Sequence, residues 1–472
     1  MESTTKGKFF SSAVQAFAVQ ILGVLFFYIT SISLSKNDFG VFSWSNAIAL
    51  TIVTLLSCGL EQVVVRRVAA SKSSDWAASA YFFHALVSAI VAMAVLGVIS
   101  YTAESDAKEK TTLLLVFVAQ ALLFIAIPLK QFLNAKERFG PYAVTALVSN
   151  AGKVVAALYL WWQSLVTLQT VIAVLIFFSA LELVALLVYT IFFTELKFGL
   201  RLIAYKKLLK EALPQYISII FDASLGRLDW IMLGLLSTNV VTADYSFAYR
   251  AFEVAKLPVF IIAPIILARL ARAMNKRTGK EQTHAQIGAL LKAESFLSML
   301  LPLTLCFLWS PVVDFVTGGK YGTANETIFI LLSLCIPLQF LINLFWSMCF
   351  TSKKYKLVSY ATIGTAIVNL ALNVILIPKY NGVGAAVAFL VATVLQFAGY
   401  YFIVYKTIAY YSLRPLFIFS AIAGVSFLIA YNVTEHTVLR LAIVVFSYLA
   451  ISLGLKQIGR QQLLAIKAFT KK

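Results

Sequence analysis

Eight charged side chains of this chain fall deep inside long apolar stretches, more than four positions from either end: the cations Lys153, Arg227, Arg250 and Lys256 and the acids Glu182, Asp222, Asp229 and Glu253. A charge held at the centre of a bilayer costs at least ~2.5–3.5 kcal/mol, so such residues mark ion pairs, wet cavities or substrate paths. Their spacing groups them. Arg250, Glu253 and Lys256 step by three and form a stripe on one helical face, and Asp222 and Asp229, seven apart, share another. If consecutive spans run out and back, Arg227 and Asp229 reach the depth of Arg250 and Glu253, and the crossed pairs Asp229–Arg250 and Arg227–Glu253 become geometrically available. Lys153 has no acid three or four positions away on its own stretch, which makes it the candidate for a free cation; Glu182 on the next stretch is its alternative partner. Two readings stay open for the group: interhelical salt bridges that hold one lobe together, or the lining of a water-filled cavity with surplus positive charge. The chemistry on offer is recognition of an anion rather than bond making. The sequence contains no Gly-x4-Gly-Lys-Ser/Thr and no His-Glu-x-x-His, and its four cysteines show no Cys-x-x-Cys spacing. No cofactor and no metal is expected, and His84 reads as an interhelical hydrogen-bonder.

The elements that position these residues follow from hydropathy. Of 472 residues 61% are apolar and 12% charged, with mean hydropathy +0.88, which places the chain among integral membrane proteins. Phe9–Ser35 runs 27 residues without a charge, long enough for a helix to cross ~30 Å of hydrocarbon and far too long for a barrel strand. With Lys6 and Lys8 before it and no small-residue cleavage site after it, this run reads as a retained span rather than a signal peptide. Fourteen such stretches are expected: 9–34, 39–60, 76–99, 111–132, 141–162, 165–193, 212–236, 245–270, 290–315, 328–350, 358–377, 383–405, 416–431 and 438–455. Lysine and arginine alternate between the gaps. Apart from the four buried cations, only Lys36, Lys108, Lys110, Lys320, Lys379 and Arg440 fall on the odd-numbered side, against 29 of 39 on the other. Short basic loops stay cytoplasmic, so both termini are expected there. The stretch 194–211 interleaves basic and apolar residues and predicts an amphipathic helix in the cytoplasmic interface. The two sides of that linker share an order of features: Asp38-Phe39 and Asp244-Tyr245 opening spans two and eight, Ile127-Pro128-Leu129 and Ile336-Pro337-Leu338 in spans four and ten, and Lys153 and Asn369 at equivalent depths. The expected plan is therefore all-α: a lobe of six spans (1–193), the linker (194–211), a second lobe of six (212–405), and two appended spans with a basic tail (406–472). Parallel repeats of this kind are a transporter architecture.

Several functions are disfavoured. The net charge of +19 sits in short clusters at helix ends, which suits topology and anionic lipid rather than a nucleic-acid groove. The outer loops are too short to fold into the catalytic domain of a polymerase or glycosyltransferase.

The chain resembles the Wzx-type O-antigen and polysaccharide flippases of the multidrug/oligosaccharidyl-lipid/polysaccharide (MOP) exporter superfamily. The resemblance covers essentially the whole chain. It rests on the span count and on ordered patterns: Lys36-Asn37-Asp38-Phe39-Gly40-Val41-Phe42, Cys58-Gly59-Leu60 running into Arg66-Arg67, Gly226-Arg227-Leu228-Asp229, Ala243-Asp244-Tyr245-Ser246 with Tyr249-Arg250, Gly318-Gly319-Lys320-Tyr321, and Ile377-Pro378-Lys379-Tyr380-Asn381-Gly382. In the last, Asn381 stands where the family has glycine directly after the tyrosine. The resemblance implies two six-helix lobes around a cationic cavity and alternating-access movement of an undecaprenyl-pyrophosphate-linked oligosaccharide to the outer leaflet of a bacterial inner membrane. It also implies membrane lipids as partners, a coupling H+ or Na+, and a polymerase or chain-length complex as a candidate partner. A cation-coupled multidrug exporter of the same superfamily is the alternative.

Overall fold

A chain in hydrocarbon must satisfy its backbone N–H and C=O groups internally, and helices do so within one segment. The computed structural model describes residues 2–71, 75–102, 106–199, 201–258, 280–352, 354–408 and 412–457, and these contain helices and no strand. The helices are α1 (Glu2–Ser33), α2 (Lys36–Leu56), α3 (Leu60–Ala70), α4 (Trp76–Thr102), α5 (Ala107–Ala135), α6 (Phe139–Trp162), α7 (Leu168–Phe193), α8 (Leu202–Leu236), α9 (Asn239–Ala255), α10 (Lys280–Thr317), α11 (Glu326–Thr351), α12 (Tyr355–Ile408), α13 (Arg414–Val433) and α14 (Thr437–Gly454). Among the described residues ten helices are long and apolar enough to cross a membrane, with a shorter apolar run over Phe17–Ser33. The chain is thus an all-α, multi-pass membrane protein. The expected eighth span continues from α9 into residues outside the described ones.

The chain divides into two compact units, Met1–Ala243 and Asp244–Lys472. In the first, α5 is central and packs against α2, α3, α4 and α7, while α1 packs on α6. Its core side chains Phe117, Phe124 and Leu129 are fully buried. Within α5, Pro128 lacks the N–H that would bond the carbonyl of Phe124. In the second unit α11 is sandwiched between α10 and α12, and α13 and α14 dock as a pair on α10. There the Tyr448 hydroxyl donates to the Phe296 carbonyl at 2.9 Å, and the two rings stack at 5.4 Å.

α12 holds two of the expected spans. It breaks at Asn381 (φ 51°, ψ −132°), and its arms run back along each other: the hydroxyls of Thr362 and Tyr400 lie 2.8 Å apart.

Two expectations about boundaries change. The interfacial helix expected over 194–211 begins only at Leu202 and runs unbroken into the seventh span, while 194–199 is non-helical. The cause is a tertiary contact: Ser79 of α4 holds both backbone groups of Gly199, accepting from its N–H at 2.7 Å and donating to its carbonyl at 3.0 Å. The second span ends at Leu56, because Cys58 and Gly59 take left-handed backbone, and α3 follows as a separate helix carrying Arg66 and Arg67.

Candidate functional site

The α6–α7 crossing brings Lys153 and Glu182 together. A Cβ on Gly152 would lie 2.1 Å from the Phe178 ring, so the absent side chain lets the helices approach. The Ser149 hydroxyl donates to the Phe178 carbonyl at 3.1 Å and sets the register. Glu182 lies one turn beyond Phe178 on the same face and is buried, as is Lys153, with 6% of its surface exposed. The charges acting on Lys153 are those of Glu182 and Lys130.

Lys130 was not among the sequence candidates. Its position two residues after Pro128, at the end of the fourth apolar stretch, placed it with the cytoplasmic helix ends. The structure gives it a partner there: its ammonium lies 2.5 Å from Glu182 Oε1, and the side chains are 19% and 3% exposed. Its signal in the sequence was only that it falls within the span bounds 111–132. Glu61, on α3, accepts from Gln131 Nε2 at 3.3 Å, and its carboxylate also feels Lys130. Acids and lysines therefore alternate across α3, α5, α7 and α6: Glu61, Lys130, Glu182, Lys153.

The remaining candidates sit as follows. On α8, Asp229 is 2% exposed, and half-buried Arg227 donates from Nη1 to the Thr54 hydroxyl at 3.4 Å, towards α2. The side chain of Asp222 lies outside the described residues. On α9, Arg250 Nη1 lies 2.8 Å from Glu253 Oε2, an i,i+3 pair along one helix. Lys256, just past the end of α9, places its ammonium 4.1 Å from the centroid of the Phe252 ring. The sequence reading also passed over Glu294 of α10, whose Oε2 is buried without a hydrogen-bond partner. Among the described residues no cluster of His, Cys, Asp and Glu forms a metal site. His84 bridges three helices, with Nδ1 2.6 Å from the Tyr205 hydroxyl and Nε2 2.7 Å from the Leu56 carbonyl, a packing role.

A family model described as polysaccharide biosynthesis protein matches residues 5–270, more than half of the chain. No curated protein matches it. Among solved structures, the chain is similar to the lipid II flippase MurJ in an inward closed conformation, with TM-score 0.75 and 16% identity, over 93% of this chain and 97% of that one. It is similar to an inward-facing multidrug resistance MATE family transporter of the MOP superfamily, with TM-score 0.67 and 13% identity, over 85% and 100% of the two chains. A MOP superfamily transporter from Pyrococcus furiosus, described by the reversed polarity of its binding pocket, matches with TM-score 0.55 and 12% identity over 85% and 96%. At these identities the likeness is one of fold, and it agrees with the MOP fold that the sequence patterns implied.

Proposed function

We propose, on the premise that this chain belongs to the polysaccharide biosynthesis protein family, that it is a flippase for a lipid-linked oligosaccharide. The substrate class is an undecaprenyl-pyrophosphate-linked repeat unit of O-antigen or another surface polysaccharide. It crosses a bacterial inner membrane by alternating access of the two six-span lobes, with both termini cytoplasmic and H+ or Na+ as the coupling ion. A pyrophosphate-sugar head cannot enter hydrocarbon without a large desolvation cost, and fixed cations in a wet path offset that cost.

The observation that carries the reading is Lys153: a lysine nine-tenths buried in a membrane-spanning helix, whose side chain makes no ion pair or hydrogen bond among the described residues. A buried charge without a counterion is costly, and an anionic substrate removes that cost. A lysine meets a mobile phosphate as a point charge without the fixed fork of an arginine. Arg227, Arg250 and Lys256, with Asp229 and Glu253, extend the proposed path.

The test is Lys153→Asn, which removes the charge and installs the residue found at the equivalent depth of the second repeat. Surface polysaccharide should fall sharply, and undecaprenyl-linked units should accumulate on the cytoplasmic leaflet. Normal export in this variant would take Lys153 off the path. A multidrug exporter shares this fold, as the MATE likeness illustrates. That reading requires the deletion strain to lose resistance to cationic drugs while its lipid-linked oligosaccharides stay unchanged.

A further inference from the structure

Two ammonium groups, Lys130 and Lys153, share the neighbourhood of one carboxylate, Glu182, in the core of the first unit. Lys130 has taken that carboxylate, at 2.5 Å. Lys153, whose charge also feels Glu182, has no ion pair within 4.0 Å among the described residues. Glu182 lies on α7, which packs against both α5, carrying Lys130, and α6, carrying Lys153. Glu61, the other acid near Lys130, accepts from Gln131 and stands on α3.

We infer that Lys130 is a positioning residue: by occupying Glu182 it keeps Lys153 uncompensated and so available to an anion. The inference rests on the reading of Lys153 as a contact for the substrate's pyrophosphate. If Lys130 lost its charge, Glu182 would be a bare buried carboxylate beside Lys153, and the two would pair. The chain would then still have its carboxylate neutralised, but the anion would face an occupied lysine. A salt bridge kept only for stability predicts the reverse, a weaker fold with unchanged anion binding.

The test uses the full-length, detergent-solubilised protein with inorganic pyrophosphate as probe, reading affinity by titration calorimetry and stability by thermal unfolding. Lys130→Met should lower pyrophosphate affinity by about tenfold, to the level of Lys153→Asn, which is the scale of coupling between close charges. Lys130→Arg should retain the affinity. The double variant Lys130→Met/Glu182→Gln removes the competing carboxylate together with its partner and should recover most of the loss. Should Lys130→Met fail to accumulate in the membrane, the double variant decides alone. The inference is overturned if Lys130→Met melts earlier yet binds pyrophosphate as tightly as the parent protein, or if the double variant binds as weakly as Lys153→Asn. A parent protein that does not bind pyrophosphate would remove the Lys153 reading itself, and this inference with it; binding by the parent with indifference to Lys130 removes the inference only.

Discussion

At the residue scale, the charged side chains differ in how much stability they carry, and that separates folding from function. Arg250 and Glu253 form an i,i+3 pair whose side chains are 26% and 35% exposed. An i,i+3 pair along one helix is worth only ~0.2–0.5 kcal/mol in an isolated helix. Arg250→Ala should therefore accumulate at near-normal levels while surface polysaccharide is lost, and Arg250→Lys should keep part of the export. Loss of both variants from the membrane, seen by immunoblot, would instead make the arginine a structural residue. The buried Lys130–Glu182 pair is the opposite case: removing Glu182 takes away the carboxylate that Lys130 pairs with, and removing Lys130 takes away the ion-pair partner of Glu182. Either change falls in the class of broken buried pairs that costs several kcal/mol.

At the element scale, the first unit is closed by two contacts that the chain pattern explains only in part. α2 meets the start of α9 at Gly40, where a Cβ would stand 1.8 Å from the carbonyl oxygen of Asn239. That atom is backbone and cannot swing away. Gly40→Ala should cost about 1–3 kcal/mol, the range for overpacking, read as a lower melting temperature of the purified protein. The second contact joins α3 to the start of α8. Arg67 Nε donates to Glu211 Oε2 at 2.8 Å, and Arg66 pairs with the other carboxylate oxygen. The Arg67 hydrogen bond, with the charges of both arginines, holds the Glu211 carboxyl below its usual range. A carboxylate whose folded-state pKa is depressed contributes stability above its unfolded value and loses it as pH falls through the folded value. The melting temperatures of the parent protein and Glu211→Gln should thus differ at neutral pH and converge in acid, below the ordinary carboxylate range. A difference that persists unchanged into strong acid would show that the clamp is held by something other than this charge.

At the scale of the whole molecule, the distribution of basic residues sets an orientation that can be measured without any substrate. Both termini and the segment 194–211 belong on the cytoplasmic side in the proposed topology, because the basic gaps outnumber the others 29 to 6 in lysine and arginine. A periplasm-active reporter fused at Lys472 should give no signal, whereas the same reporter in the outer segment 432–437 should be active. Full activity at Lys472 in a folded fusion would leave an odd number of spans and overturn the plan. The aromatic packing of the second unit belongs to the same scale. Trp309 stacks on Phe329 at 3.6 Å and donates to Asn325, which in turn donates to the carbonyl of Asp244. This makes the turn that follows α10 a packed part of the unit rather than a free loop.

Hydropathy, read along the chain, determined that this is an all-helical, multi-pass membrane protein, and the order of short patterns determined its family, because both are properties of consecutive residues. It also singled out Lys153, since a charge inside an apolar run is visible without knowing its neighbours. The linker showed where that reading stops: 194–199 had the interleaved pattern of a helix, but Ser79, more than a hundred positions away, holds Gly199 in a non-helical course. The same limit applied to Lys130. Nothing near it in sequence marks it as the partner of Glu182, 52 positions on, because pairing inside a bilayer depends on which helices lie side by side and at what rotation. Those are set by contacts such as Gly152 against Phe178. Only the tertiary structure decided which of two lysines a buried carboxylate pairs with.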